Sequence, residues 1–475
     1  MPVIAGVSTS VALFIGWSAR GPVAAPARLR SFADHERQFG PLDANPTLGY
    51  ALKHFFDNGG AEALALRVAA ADARTAGARL GGLRLSAISP GEWAHAYRVR
   101  LTRRADDAKR FRIEVLHKPS GDAVVEQFDD LWMGSRNARF VERIVNAQSA
   151  LVAAKATGTR APTNATVDLG SFVKGADGAR IGPGDPGFHA AVAALFGAGS
   201  VTDRIDLFNL VCVAGLTDAA TIARVQADCR RRLAFLIVDA PQATSVAALP
   251  AVASAVAGPD AMNSALYFPW LHAADPLAPG GARDFPPSGA VTGIYARCDA
   301  TRGVAKAPAG AAANVHGALA LATTISDVDA ARLGGLGING LRIFPSQGIL
   351  VWGARTLQGS DDAASEWKYV SVRRLALFIE ESISRGLAWA AFEANGEPLW
   401  ATIRASIGAF MNVLWREGAL FGQTPAQAYF VTCDGTTTTA ADIGRGVIGI
   451  RVGFAPIKPA EFIVLAIEQR AAAAS

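Results

Sequence analysis

Between residues 207 and 268 short apolar runs alternate with helix-patterned stretches, and this alternation limits the fold more than any other feature of the chain. Leu207–Val213, Ala234–Val238 and Ala265–Phe268 read as buried strands. Asp218–Leu233 and Val246–Val256 read as the helices between them. A strand that is apolar throughout is covered on both faces, and a strand–helix–strand order brings successive strands together in parallel. The segment therefore predicts a parallel α/β unit. At 475 residues the chain exceeds what one core usually accommodates, so further domains are expected.

The first seventy residues predict β-β-α-α-β. Val7–Gly16 is a strand, Gly21-Pro22 breaks it, and Ala27–Leu29 is a short second strand. Ser31 followed by Asp34 has the spacing of a helix N-cap, and that helix should stop at Gly40-Pro41. A second helix should run from Pro46 through Phe56 to the Asn58-Gly59-Gly60 stop, with Ala63–Val68 returning as a strand. From 75 to 195 helical periodicity fades. Tyr97–Leu101 and Phe111–Leu116 alternate as strands with solvated faces around a charged turn, and one helix is expected at Arg136–Val152. Asn314–Ser326 reads as a further helix.

The last quarter opens on Trp352-Gly-Ala-Arg-Thr-Leu357 after a hairpin over Arg342–Val351. Helices follow at Val372–Ser384, with Glu381 and Arg385 one turn apart, and from Pro398 to Gly418. Strands are expected at Ala428–Thr432, Val447–Gly453 and Glu461–Ile467.

Little in the chain points to chemistry. Gly335-Leu-Gly337-Ile-Asn-Gly340 matches GxGxxG, but a helix precedes it and a strand follows, the reverse of a dinucleotide site. Asp239 ends a strand without a phosphate loop beside it. The histidines are scattered, and the four cysteines have no CxxC spacing, so neither a metal site nor a disulfide framework is implied. Charged residues are 18%, below the roughly 25% of an average soluble domain. The net charge of +5 comes mostly from arginine, which favours fixed bidentate pairs across interfaces. No stretch has the apolar density of a membrane span, and a cytoplasmic site of synthesis is expected.

The ordered set of Gly6–Gly16, Arg20-Gly-Pro22, Phe55–Gly60, Tyr267-Phe-Pro-Trp270, Gly289–Asp299, Val351–Thr356, Glu397-Pro-Leu-Trp400, Gly418-Ala-Leu420 and Val452–Phe462 resembles the contractile tail sheath family. The family comprises sheaths of phage tails and of extracellular phage-tail-like injection particles. The resemblance implies an α+β multidomain chain. A sheath core domain would combine residues 1–20 and 341–475, an α/β middle domain 21–74 and 196–340, and a strand-rich inserted outer domain 75–195. It implies a mechanical subunit rather than an enzyme, with no cofactor or metal. Implied partners are copies of itself in stacked sixfold rings, an inner tube protein, baseplate and terminator or cap proteins, and other sheath paralogues. Neither nucleic acid nor membrane insertion is implied. Strands donated between subunits would carry Val7, Val11, Leu13 and Ile15 near one end and Phe462, Val464 and Ala466 near the other. Arg373, Arg374 and Arg404 would face acidic residues of the tube. Family members usually carry an additional N-terminal segment before the position of Gly6, so a specialised end-ring paralogue is a further expectation.

Overall fold

A computed structural model describes residues 2–43, 48–278 and 280–461. In chain order the first elements are β1 (Ala12–Trp17), β2 (Ala27–Leu29), α1 (Phe32–Phe39), α2 (Leu48–Asp57) and β3 (Ala63–Val68). The inserted region holds β4 (Gly77–Leu80), β5 (Leu83–Ala87), β6 (Tyr97–Arg103), β7 (Phe111–His117), β8 (Ala123–Leu131), α3 (Val141–Gln148), β9 (Val152–Ala156) and β10 (Ala165–Asp168). The chain continues through α4 (Pro186–Ala193), β11 (Leu210–Cys212), α5 (Ala219–Arg231), β12 (Phe235–Asp239), α6 (Leu249–Val256), β13 (Ser264–Phe268), β14 (Leu271–Ala274) and β15 (Ala282–Phe285). It returns through α7 (Ser288–Arg302), β16 (Ala318–Leu321), α8 (Asp327–Gly335), β17 (Ile338–Phe344) and β18 (Gly348–Trp352). The last elements are α9 (Val370–Gly386), α10 (Glu397–Arg416), α11 (Pro425–Ala428), β19 (Tyr429–Thr432), α12 (Ala440–Gly444) and β20 (Arg451–Phe454).

An eight-stranded sheet in the order β18-β17-β13-β12-β11-β1-β3-β2 organises the molecule. Its six inner strands are parallel, and the edge strands β2 and β18 run antiparallel to their neighbours. Side chains alternate between two cores, as strand geometry requires. Leu13, Ile15, Leu66, Val211, Leu236 and Leu266 face α4, α5 and α6. Phe14, Ala65, Cys212, Phe235, Ile237 and Tyr267 face α2 and α7.

Local signals explain the element ends. The Ser31 hydroxyl accepts the Asp34 N–H at 3.2 Å, and α1 stops at Gly40, whose φ of 89° suits glycine. Asp218 caps α5 in the same way. Asn314–Ser326 corrects the reading as a helix. Ala318–Leu321 pairs with β14, and the helix begins only after Ser326, which caps α8. The expected helix at Arg136–Val152 is shorter, because residues from Val152 pair with β5. Helix α7 carries no amphipathic stripe because its first nine residues are all buried. It lies directly on α2 because it is small there. A Cβ built on Gly289 falls 2.7 Å from the Ala51 carbonyl oxygen, and one on Gly293 falls 2.8 Å from Asn58 Cβ and closer still to the Phe55 carbonyl. Gly293→Ala is therefore expected to cost about 1–3 kcal/mol by forcing two helix backbones apart. A denaturant melt of the full chain would read this as a lower midpoint at unchanged slope.

The inserted region buries its own core, with Leu83, Leu85, Val99, Ile113, Val115 and Val145 among its members, between the sheets β4-β5-β9 and β10-β6-β7-β8. Helices α9 and α10, the β19–β20 ribbon and Ile4 share a separate core. Residues 4–7 lie along α9. The Val7 N–H donates to the Ser382 hydroxyl at 3.2 Å, and a side chain on Gly386 would strike Ile4. The N-terminal segment thus meets the C-terminal unit, but sheet membership moves two of the expected boundaries. β1 and the β17–β18 hairpin, assigned in the sequence reading to the sheath core, are strands of the central α/β sheet.

Candidate functional site

The stretch from Trp352 to Leu357 is where the chain leaves the central sheet for the C-terminal unit. Asn339 on β17 holds it. The Asn339 amide donates to the Arg355 carbonyl at 2.8 Å and to the Leu266 carbonyl at 3.1 Å, and its oxygen accepts the Arg355 N–H at 2.7 Å. Gly353 is required here, since a Cβ would lie 2.9 Å from the Asn339 side-chain oxygen. The Arg355 side chain is 3% exposed and fully committed. Its guanidinium forks onto both Glu461 carboxylate oxygens at 2.7 and 2.6 Å. It also donates to Asp361 at 3.0 Å and to the Gly359 carbonyl at 3.2 Å. Bidentate pairing of this kind fixes geometry as well as charge. Residue 461 is thereby anchored to the end of the central sheet, beside a cleft of about 420 Å³ lined by Lys306, Arg342, Trp352, Arg355 and Glu461. Within the cluster Arg355 is answered by both Glu461 and Asp361.

The sequence-predicted site residues fall into three groups. Val11, Leu13 and Ile15 are buried in the central sheet, where β1 is paired on one side with β11 and on the other with β3. With both edges occupied, β1 has no free ladder for a neighbouring subunit, which corrects the expectation for these three residues. Val7 lies outside the strand, on α9. Phe462, Val464 and Ala466 lie outside the described residues.

The arginine expectation is also corrected. Arg374 points into the chain, forking onto Asp299 at 2.6 and 2.8 Å and donating to the Thr9 carbonyl at 2.8 Å, with its guanidinium over the Tyr295 ring. Arg373 donates to the Asn263 side chain at 2.9 Å and stacks on Trp367. Helix α9 is buried on both sides, with Val370 and Leu377 in one core and Leu375 and Ile379 in another. Arg373 and Arg374 are both buried in this packing and so face the chain's own residues. Arg404 pairs with Glu397 at 2.5 Å and with the Cys433 carbonyl, and keeps partial solvent access. The Glu381–Arg385 pair forms as the spacing predicts.

Other candidates for chemistry are structural. Asp239 is buried, accepting the Gly215 and Ser288 N–H groups at 2.8 Å and the Ser288 hydroxyl at 2.6 Å. It ties β12 to the start of α7. The GxGxxG glycines link α8 to β17, so no helix N-terminus faces them. Among the described residues no group of three or more His, Cys, Asp or Glu is placed to hold a metal ion, and no helix is long and apolar enough to cross a membrane.

The C-terminal ribbon is open. β19 and β20 pair only with each other, and among the described residues neither outer edge has a ladder partner. Phe430 on β19 is 54% exposed and the nearby Phe421 is 71% exposed.

Comparison with known proteins agrees with this anatomy. The phage tail sheath protein central domain matches residues 199–357, and the phage tail sheath C-terminal domain matches residues 362–470. The tail sheath protein of Vibrio phage KVP40 is 25% identical over 181 residues, which are 38% of this chain and 26% of that protein. The match thus spans about a quarter of the relative's length. Two solved structures share the fold at 22% identity and a TM-score of 0.62, each over 99% of this chain. One is a chain of the six-fold symmetrised anti-feeding prophage baseplate, 95% covered. The other belongs to the contracted sheath complex of the extracellular contractile injection system PVC, 94% covered. With the two sheath models together matching more than half of its length, the chain belongs to the phage tail sheath family, the structural subunits of contractile tails and tail-like injection particles.

Proposed function

We propose that this protein assembles as sixfold rings stacked around an inner tube, that exchanged β-strands couple the subunits, and that contraction of the stack drives the tube outward. The observation that carries the coupling is the β19–β20 ribbon, neither of whose outer edges has a ladder partner among the described residues. An open sheet edge is a template for a strand from elsewhere. The exposed Phe430 and Phe421 would be covered by such a strand. One segment can supply it, the apolar run of Phe462, Val464 and Ala466 that follows Glu461 in the sequence, since residues 4–9 are held against the chain's own C-terminal unit. Strand sharing lets rigid subunits change their mutual angles without separating. Of the three arginines, Arg404 alone keeps solvent access, and we retain it as the tube-facing group.

Electron microscopy of the full chain, alone and co-expressed with its tube partner, tests this reading. Striated tubes or sixfold rings are expected from the wild type. Val464→Pro is expected to abolish them at unchanged melting temperature, because proline lacks the N–H that an exchanged strand would donate to the ladder. Normal tubes from that variant would remove strand exchange from the account, and wild-type monomers in both samples would overturn the assembly itself. A second reading, a static ring at the end of the particle, is supported by the likeness to a baseplate chain. Rings that form with tube but never stack would favour it.

A further inference from the structure

The inserted region carries the whole charge imbalance of the molecule. Residues 75–195 contain 17 Lys and Arg against 12 Asp and Glu, a net of +5, whereas the rest of the chain holds 29 of each. On the sheet β10-β6-β7-β8 and its turns, Arg98, Arg100, Arg104, Arg110 and Arg112 each meet a carboxylate. The sheet β4-β5-β9 differs. Its inner face packs into the inserted core through Leu80, Leu85 and Ala154, and its outer face puts Arg79, Arg84 and Lys155 directly opposite one another across three strands. Like charges in cross-strand register oppose folding. Only Lys155 has a carboxylate near it, Glu142 at 3.7 Å, and neither Arg79 nor Arg84 has an acidic partner among the described residues. Both guanidinium groups lie over the exposed Phe172 ring, at 5.9 and 5.3 Å from its centre. Ile88 and Val173 extend the exposed surface as apolar neighbours.

We propose that the outer face of this sheet docks an extended protein segment in which acidic and apolar side chains alternate. Three observations support that occupant. Arginine forks held on an aromatic ring are pre-organised for bidentate carboxylates and lose little entropy on pairing. The three cations form one unbroken row across neighbouring strands, which suits an extended chain laid across the sheet. The apolar residues beside the row give the alternate side chains a dry contact, in the arginine-plus-aromatic composition of protein interfaces. The surface is separate from the β19–β20 ribbon, so the inference does not depend on strand exchange.

The test is fluorescence anisotropy of the full chain with a labelled dodecapeptide of alternating Glu and Val. Oligo-dT and vesicles of phosphatidylserine with phosphatidylcholine serve as the other two probes. The peptide is expected to bind, and the double variant Arg79→Glu/Arg84→Glu is expected to weaken it by at least about tenfold at unchanged melting temperature. The milder pair Arg79→Gln/Arg84→Gln should fall between them, and it keeps the test decisive should the reversal destabilise the region. Equal peptide binding by the wild type and both variants would overturn the proposal. So would wild-type binding of oligo-dT or vesicles in preference to the peptide.

Discussion

Arg374→Ala is expected to lower the stability of the folded chain by about 3–5 kcal/mol, the cost of leaving a buried charge without its partner. Asp299 side-chain exposure is 2% and that of Arg374 is 4%, so water cannot replace the lost guanidinium. The same substitution frees the Thr9 carbonyl and uncovers the Tyr295 ring, loosening the N-terminal segment from α9. The pair Arg374→Met/Asp299→Leu should recover most of the loss, because removing both charges removes the desolvation cost together with the attraction. Urea melts of the three variants check this. A loss below about 1 kcal/mol, the range of an exposed pair, would place Arg374 in solvent. Stable subunits that fail only on the tube would restore its tube-facing assignment.

Acid is expected to destabilise the subunit between pH 7 and pH 4 through two buried histidines. Burial, with the positive charge of Arg20 nearby, holds His35 down at about 4. Burial holds His54 down at about 4 as well, with Lys53 adding to the effect and Asp57 opposing it. Both folded values lie below the ordinary 6.5. The unfolded chain therefore takes up protons first as pH falls, and stability is lost from about pH 6.5 down through pH 4. Each histidine accounts for about 3 kcal/mol over that window. Asp239 works in the opposite sense. Burial raises its carboxyl to about 6, against the hydrogen bonds from Gly215 and Ser288, so the fold gains as pH falls through that value. One carboxylate offsets one histidine in part, leaving a net loss of roughly 3–4 kcal/mol at pH 4. His35 isolates the effect. Neither of its ring nitrogens has a hydrogen-bond partner, and it stacks between Phe32 and Phe39. His35→Phe should leave a net loss below about 1 kcal/mol over the same range, because the remaining histidine is then nearly offset by Asp239. An unchanged loss would refute a buried neutral His35.

The parts of the fold legible in the sequence were those whose cause is local. Apolar runs between helix-patterned stretches marked β11, β12 and β13, and the Ser31 cap marked the start of α1, because a cap needs only its own first turn. The glycine and proline punctuation of α10 was equally local. Helix α7 gave no signal, since a helix buried all round loses the stripe that periodicity detects. Ala318–Leu321 was misread because its alanines suit a helix, and only the edge of β14 makes it a strand.

The sequence by itself determined that this chain is an α/β protein with a strand-rich insertion and a helical C-terminal unit, and its ordered motifs determined its family. Tertiary structure decided which residues can act. An apolar strand reads the same whether it lies in the middle of a sheet or on an edge, so Leu13 and Ile15 looked free to be shared until β3 and β11 were seen to flank them. An arginine on a helix reads the same whether it meets a partner or its own chain, so Arg373 and Arg374 looked like contacts until Asn263 and Asp299 answered them. Both ambiguities have one physical source. Hydrogen-bonding edges and charge pairs are satisfied by groups distant in sequence, and no local pattern carries the identity of the partner.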